Sequence, residues 1–249
     1  MDSPAHGEVI VTGMSNQEFL DKYARAGCIG LAGGATLIDW AIRRAERHID
    51  DDAKWSLWSH SFLFQGVRAD AQHWVIESDL EVHRKHIRLG VQENRMEKYY
   101  DEKHQRNLAV LDFGLTEAQL ALVLREALDL VHDREQYSLR EIFGVLKGLR
   151  HEETRDRENP LARKRSLFCS AFVRHLFSRA GVDLTPGIAD KHTTPEDIFR
   201  TPLPHTRYVL QRDEPKPKVG LRARLRQRVK GRIERMKSRR KGGLAKGGI

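Results

Sequence analysis

The sequence predicts an α+β fold, a small antiparallel sheet packed against helices. Two runs, WSLWSHSFLF and AQHWVIES, are rich in strand formers and frame a short polar turn. Further along, apolar residues recur at helical spacing from Leu120 to Val131 and from Phe172 to Ala180. With 249 residues, 39% of them apolar and 32% charged, the chain can bury a sizeable core without staples.

Residues 1–15 read as a loose lead-in, and Gln17 to Ala26 as a short helix. The stretch GCIGLAGG is short and Gly-rich. From Thr36, Leu37, Ile38, Ala41, Ile42 and Ala45 predict a helix to about His48, ended by Asp50-Asp51-Asp52. Trp58, His60, Phe62 and Phe64 then share one side of a strand. AQHWVIES pairs back on it. A tight turn centred on Arg68 and Ala69 sets His60 opposite Glu77. Residues 80–106 are charged and mixed, and VQENRMEKYYDEKH reads as helix or loop. Thr116-x-x-Gln119 is a capping box opening the helix that carries Leu120, Val123, Leu124, Ala127, Leu128 and Val131. A second helix covers Ser138 to Leu149, followed by the polar loop RHEETRDRENPLARKR. LFCSAFVRHLFSRAG turns from a short apolar run into a helix that buries Phe172, Val173, Leu176, Phe177 and Ala180 and stops at Gly181. Thr194-Pro195-Glu196-Asp197 starts a short helix with Pro in its first turn, and TRYVLQR reads as a closing strand.

The net charge of +9 is unevenly spread. Residues 216–249 hold 14 Lys and Arg against the single acid Glu234, so residues 1–215 are mildly acidic. Two parts are therefore expected, a domain over 1–214 and a basic tail over 215–249. In the tail Leu221, Leu225, Val229, Ile233 and Met236 fall on one helical stripe among arginines and lysines. Such a segment suits an anionic membrane surface, a partner groove or nucleic acid, or is a solvated disordered extension. The absence of interleaved aromatics weighs against single-strand nucleic-acid binding. No apolar run reaches membrane-spanning length, and the N-terminus lacks a basic segment followed by an apolar one. With only Cys28 and Cys169, a disulfide framework is excluded. The expected location is the cytoplasm, peripheral to the inner membrane face if the tail docks there.

Cys169 sits where an apolar segment becomes a helix. The positive end of the helix dipole and its unpaired N–H groups favour a thiolate, which is the nucleophilic form. A base is then needed. His60 stands in a strand lined by aromatics, and Glu77 ends the apolar run His-Trp-Val-Ile, so it must find solvent or a partner. Facing His60, it fixes one tautomer and stabilises the imidazolium. Cys28, in the Gly-rich segment, reads as packing. Gly30, Gly33 and Gly34 make no phosphate loop, because no Gly-Lys-Ser/Thr follows. His83-x-x-His86 with His73 lacks the further ligands that zinc requires, so no metal and no cofactor is expected.

The order of these segments resembles the circularly permuted papain-like amidases of the NlpC superfamily, the YaeF/YiiX-like branch. The shared features are a Gly-rich segment, a helix, S-H-S in a strand, V-I-E-S, Y-S-L, F-C-S-A-F-V at a helix start, and T-P-E-D-I. The likeness runs from about Tyr23 to Pro202. It implies a circularly permuted papain-like fold with Cys169 as nucleophile, His60 as general base and Glu77 as third member. It also implies Tyr137 and Ser170 on the substrate side. Two positions depart from the pattern: Gly27-Cys28 stands where Gly-Asp is usual, and Ala171 follows Cys-Ser. A related branch, similar to lecithin:retinol acyltransferases, has a second histidine as third member, which would be His73; Glu77 is the favoured residue. The expected activity is a thiol-dependent amidase or peptidase working through a thioester, with peptidoglycan-type peptides as the family-level substrate. A lipid acyltransferase or phospholipase using the same thiol is the alternative enzyme, and a non-catalytic membrane- or nucleic-acid-associated protein the alternative outside enzymes.

Overall fold

The computed structural model describes residues 7–34, 39, 43, 56–83, 86–133, 169–189 and 192–212. By contacts the chain divides into two units, Met1–Arg212 and Asp213–Ile249, and all described residues belong to the first. The helices expected over 36–48 and 138–149 fall outside the described residues, apart from Asp39 and Arg43, as do Tyr137 and the basic tail. No described helix is long and apolar enough to cross a membrane.

Seven strands form one sheet: β1 (Gly7–Val11), β2 (Ile29–Gly34), β3 (His60–Val67), β4 (His73–His83), β5 (His86–Arg95), β6 (Gln105–Asp112) and β7 (Thr206–Leu210). Their order is β1-β7-β6-β2-β3-β4-β5. Four helices are described: α1 (Asn16–Tyr23), α2 (Glu117–His132), α3 (Cys169–Arg179) and α4 (Pro195–Phe199). The fold is thus α+β, but the sheet is larger than expected and mixed. Five neighbouring pairs are antiparallel, whereas β1 lies parallel to β7. The first and last strands meet at one edge, where the whole domain serves as the connection that a parallel pair requires.

The strands that the sequence does not reveal differ in cause. β2 and β6 are central and covered on both faces, so they read as continuous apolar or glycine-rich runs without alternation. β1 was hidden in the lead-in because it is a five-residue edge strand. β5 occupies much of the charged stretch read as helix or loop, and a 3₁₀ turn over Met96–Tyr99 completes it. The two start signals at Thr116 and Thr194 behave as capping chemistry demands, and Ser15 adds a third. Ser15 with Glu18, Thr116 with Gln119, and Thr194 with Asp197 each form a reciprocal capping box.

Each face of the sheet carries its own core. On one, α2 and α3 bury Val123, Ala127, Phe172, Val173, Leu176 and Phe177 against Ile29, Leu31, Leu63 and Ile76. Each large side chain there contributes roughly 1.5–3 kcal/mol. On the other, Phe19 and Leu20 of α1 join Phe62, Phe64, Val75, Met96 and Tyr99. His60 and Glu77 belong by alternation to this second face.

The β3–β4 hairpin sets their relation, and its register differs from the expected one. The loop is longer than a two-residue turn: Arg68 N–H donates to the Gln72 carbonyl at 3.0 Å, and Ala71 adopts a φ of 57°. Beside it the pairs are Val67↔His73 and Gly66↔Trp74. That register alone would have put His60 and Glu77 on opposite faces. A bulge between Phe64 and Gly66 absorbs one residue, and the pairs become Phe64↔Val75 and Leu63↔Ile76. His60 is therefore not directly opposite Glu77. Continued past its last pair, that register sets His60 level with Asp79, one diagonal step from Glu77 and on the same face.

Beyond Leu63↔Ile76 the two strands part: β3 continues on β2 alone and β4 on β5 alone. α3 packs on both. The residue before His60 is pinned at the entrance to this split. Gly34 N–H donates to Ser59 Oγ at 3.1 Å, and Ser59 Oγ donates to Asp39 Oδ1 at 2.7 Å.

Gly30 is fixed by the ring that faces it. A Cβ there would stand 2.2 Å from Phe62, which itself stacks on Tyr99 with centroids 4.1 Å apart. Gly30→Ala is expected to destabilise the domain by about 1–3 kcal/mol through overpacking. Urea denaturation measures it, and an unchanged midpoint would contradict this packing.

Candidate active site

Three elements converge at the split. β3 supplies His60, β4 supplies Glu77, and the first residue of α3 supplies Cys169. His60 Nε2 lies 2.6 Å from Glu77 Oε2, and the thiol of Cys169 is in hydrogen-bonding reach of the same ring. With Nε2 on the carboxylate, Nδ1 is the nitrogen left for the sulfur. Cys169 reaches the ring because the β3–β4 ladder has ended. Amides alternate sides along a strand, so the Ser61 N–H points to the side that β4 has vacated. It donates to the Cys169 sulfur. The Ser170 hydroxyl lies 3.8 Å from that sulfur and 3.2 Å from the buried Ser61 hydroxyl.

Glu77 is fully buried, at 0% exposure, and a buried carboxylate requires partners. It has four. Besides His60, Tyr99 O–H donates to Oε2 at 2.5 Å. Asn94 Nδ2 donates to Oε1 at 2.6 Å and Lys98 Nζ at 2.8 Å. Lys98 also bridges to Asp79 Oδ2 at 2.5 Å. Tyr99 further stacks against His60 and Phe62. Asn94, Lys98, Tyr99, Asp79 and Ser61 were not singled out from the sequence. The available signal was polar residues two apart on facing strands, Glu77 and Asp79 against Gln92 and Asn94.

These contacts set the protonation states. Burial by itself pushes the Cys169 thiol up, but the His60 hydrogen bond and charge, the Ser61 N–H and the Ser170 hydroxyl outweigh it and leave its pKa below the ordinary value. Burial likewise works against a charged His60, yet the hydrogen bonds to Cys169 and Glu77 and the charge of Asp79 carry its pKa well above the usual one. For Glu77 the burial penalty is overcome by the His60 hydrogen bond and the Lys98 charge, which hold it well below the carboxylate range. All three shifts run toward a thiolate–imidazolium pair backed by a carboxylate.

The other candidates fall elsewhere. His73 pairs with Val67 beside the hairpin loop, four strand residues from Glu77. His83 and His86 are backbone partners that close the β4–β5 hairpin. Cys28 is buried in the second core, and burial pushes its thiol up to about 12. One group of potential metal donors exists among the described residues: His60, Glu77 and Asp79 offer ligand atoms within 4.8 Å of one another. The donor chemistry does not fit an ion. The Lys98 ammonium already bridges the two carboxylates, and Glu77 Oε2 is hydrogen-bonded to both His60 and Tyr99.

No protein-family profile matches the chain, and no curated protein does. Among solved structures the chain is similar to the metalloprotein YiiX from Escherichia coli O157:H7, assigned to DUF1105. The two are 14% identical with a TM-score of 0.47, over 77% of this chain and 98% of that one. At that degree of likeness the chemistry of the centre rests on its own geometry.

Glu77→Gln removes the anion that His60 and Lys98 share. It is expected to destabilise the domain by about 1–3 kcal/mol, since the part-buried His60 loses its counter-ion while Lys98 keeps Asp79. It should also lower the His60 pKa, which NMR titration of the ring would read. In the wild type, Glu77 contributes stability above its unfolded value near 4.5 and loses it as pH falls into the acid range. His60, with its raised value, contributes below 6.5 and loses that contribution as pH rises through its folded pKa. Denaturation of Glu77→Gln across pH should lack the acid component, and a profile parallel to wild type would contradict the assignment.

Proposed function

We propose that the chain is a cysteine-dependent hydrolase of amides, with Cys169 as nucleophile, His60 as general acid–base and Glu77 as the group that orients and charges the imidazole. The observation that carries this reading is a single imidazole between a thiol and a buried carboxylate, each delivered by a different element. In the first step the Cys169 thiolate attacks the substrate carbonyl and forms a C–S bond. The C–N bond breaks, and the departing amine takes a proton from the His60 imidazolium. In the second step His60 removes a proton from water, which attacks the thioester. The C–S bond breaks, releasing the acid and the thiolate. The Cys169 N–H at the start of α3 is the donor placed to meet the carbonyl oxygen as it becomes an oxyanion.

The fold supports the order of events. The sulfur sits at the N-terminal end of an α-helix whose buried face is locked by Phe172, Val173, Leu176 and Phe177. The imidazole is stacked on Tyr99 and Phe62, so neither group must be ordered on binding. Peptide amides, including those of peptidoglycan-type stems, are the first substrate class to test; lipid esters are the second, because an ester carbonyl would react at the same thiol.

Incubation of the full chain with iodoacetamide at pH 6 should label Cys169 and leave buried Cys28 unmodified. Cys169→Ala should abolish both labelling and hydrolysis with the fold retained. His60→Ala should reduce labelling at pH 6 by about tenfold or more, the effect of losing one strong pKa perturbation. An unreactive Cys169 in the native protein, mapped by peptide mass spectrometry, would end this reading.

A further inference from the structure

The Glu77–His60 pair does not stand alone. Its distal oxygen, Oε1, is held by Lys98, and Lys98 also holds Asp79, so two carboxylates share one ammonium. We propose that Lys98 is a positioning residue of the centre, an internal cation that neutralises Asp79 and keeps the Glu77 carboxylate turned with Oε2 toward His60. This rests on the thiol reading above and assigns the residue that tunes the same site.

Three observations support it. The first is the delivery of the ammonium. Lys98 lies in the 3₁₀ turn over Met96–Tyr99, and its flanking residues Met96 and Tyr99 are buried at 0% and 1% exposure. The backbone that carries Lys98 is therefore fixed independently of its charge. The second is direction. The lysine side chain is 31% exposed and could extend into water, yet its nitrogen lies on two carboxylates inside the domain. The third is the charge count around the ring. The titratable and charged groups that face His60 and its carboxylate are Glu77 and Asp79 from β4, Lys98 and Tyr99 from the 3₁₀ turn, and Cys169 from α3. With the thiolate–imidazolium pair formed, the anions Cys169, Glu77 and Asp79 face the cations His60 and Lys98, leaving one excess negative charge. Without Lys98 the excess rises to two, and Asp79 loses the cation that holds it.

The direction of the effect is determined. Deleting a cation raises the pKa of every neighbouring group, because each protonated form gains relative to its deprotonated form. The thiolate of Cys169 then forms at higher pH, and His60 loses its proton at higher pH. A residue that merely packed the turn would change stability without moving either limb.

The test is the rate of Cys169 alkylation by iodoacetamide across pH 4–10 in the full chain, compared among wild type, Lys98→Met, Lys98→Gln and Lys98→Arg. The expected result is that Lys98→Met moves the acid limb upward by about half a pH unit or more, a roughly threefold or larger loss of rate on that limb. Lys98→Arg should restore the wild-type profile. Lys98→Gln keeps hydrogen-bond donors without charge and should move the limb as Met does. It also carries the measurement if Lys98→Met does not fold. If Cys169 reacts in a His60-dependent manner but the uncharged variants reproduce the wild-type profile, the role of Lys98 is overturned and the thiol reading stands. If wild-type Cys169 is unreactive, both fall.

Discussion

The centre depends on one buried anion. Glu77 has no exposure, and an isolated carboxylate in such a place would take up a proton. What keeps it charged is a full set of donors: an imidazole, a phenol, an amide and an ammonium. Each donor comes from a position fixed for another reason. Tyr99 stacks on the core ring of Phe62, Asn94 stands on β5, Lys98 rides on a turn with buried flanks, and His60 starts β3. Breaking one contact would leave the others holding a group that can no longer be ionised without loss. A buried ion cluster of this kind gives little net stability against an apolar alternative.

That cluster is possible only because the sheet opens. A continuous β3–β4 ladder would engage the Ser61 amide and separate the two faces. α3 packs on one face, with Phe172 and Leu176 in its core, while His60 and Glu77 belong to the other by strand alternation. The ladder stops at Leu63↔Ile76, and the first residue of α3 meets the imidazole there. The freed Ser61 N–H becomes a donor to the sulfur. One local break in pairing therefore joins two cores at a single position and supplies one of the groups that favour the thiolate.

The bulge at the base of the hairpin acts on the same point. The loop around Ala71 imposes a register that would have set Glu77 on the face opposite His60, and one absorbed residue reverses it. Side-chain alternation has period two, so such a correction is all-or-none. The same logic explains why a wrong turn length still led to the right partner. The expected turn and the observed loop with its bulge differ by an even number of steps at His60, which preserves the face while moving the residue from opposite to diagonal.

The sequence by itself determined the pieces whose signals are local. These are the capping boxes at Thr116 and Thr194, the buried face of the helix that begins at Cys169, the closing strand, and the identity of a thiol, an imidazole and a carboxylate in need of partners. It did not reveal β1, β2, β5 or β6: strands covered on both faces lose their alternation, the five-residue edge strand β1 is too short to show one, and β5 lies in a charged stretch. Nor did it single out Lys98, Tyr99 and Asn94, which lie in a charged stretch whose polar residues look like any solvated surface. Only the tertiary structure decided which polar residues are buried, since burial depends on what the rest of the chain places against them. A lysine from a stretch read as helix or loop became the counter-ion of a carboxylate twenty-one positions away once β5 and the turn after it folded back along β4.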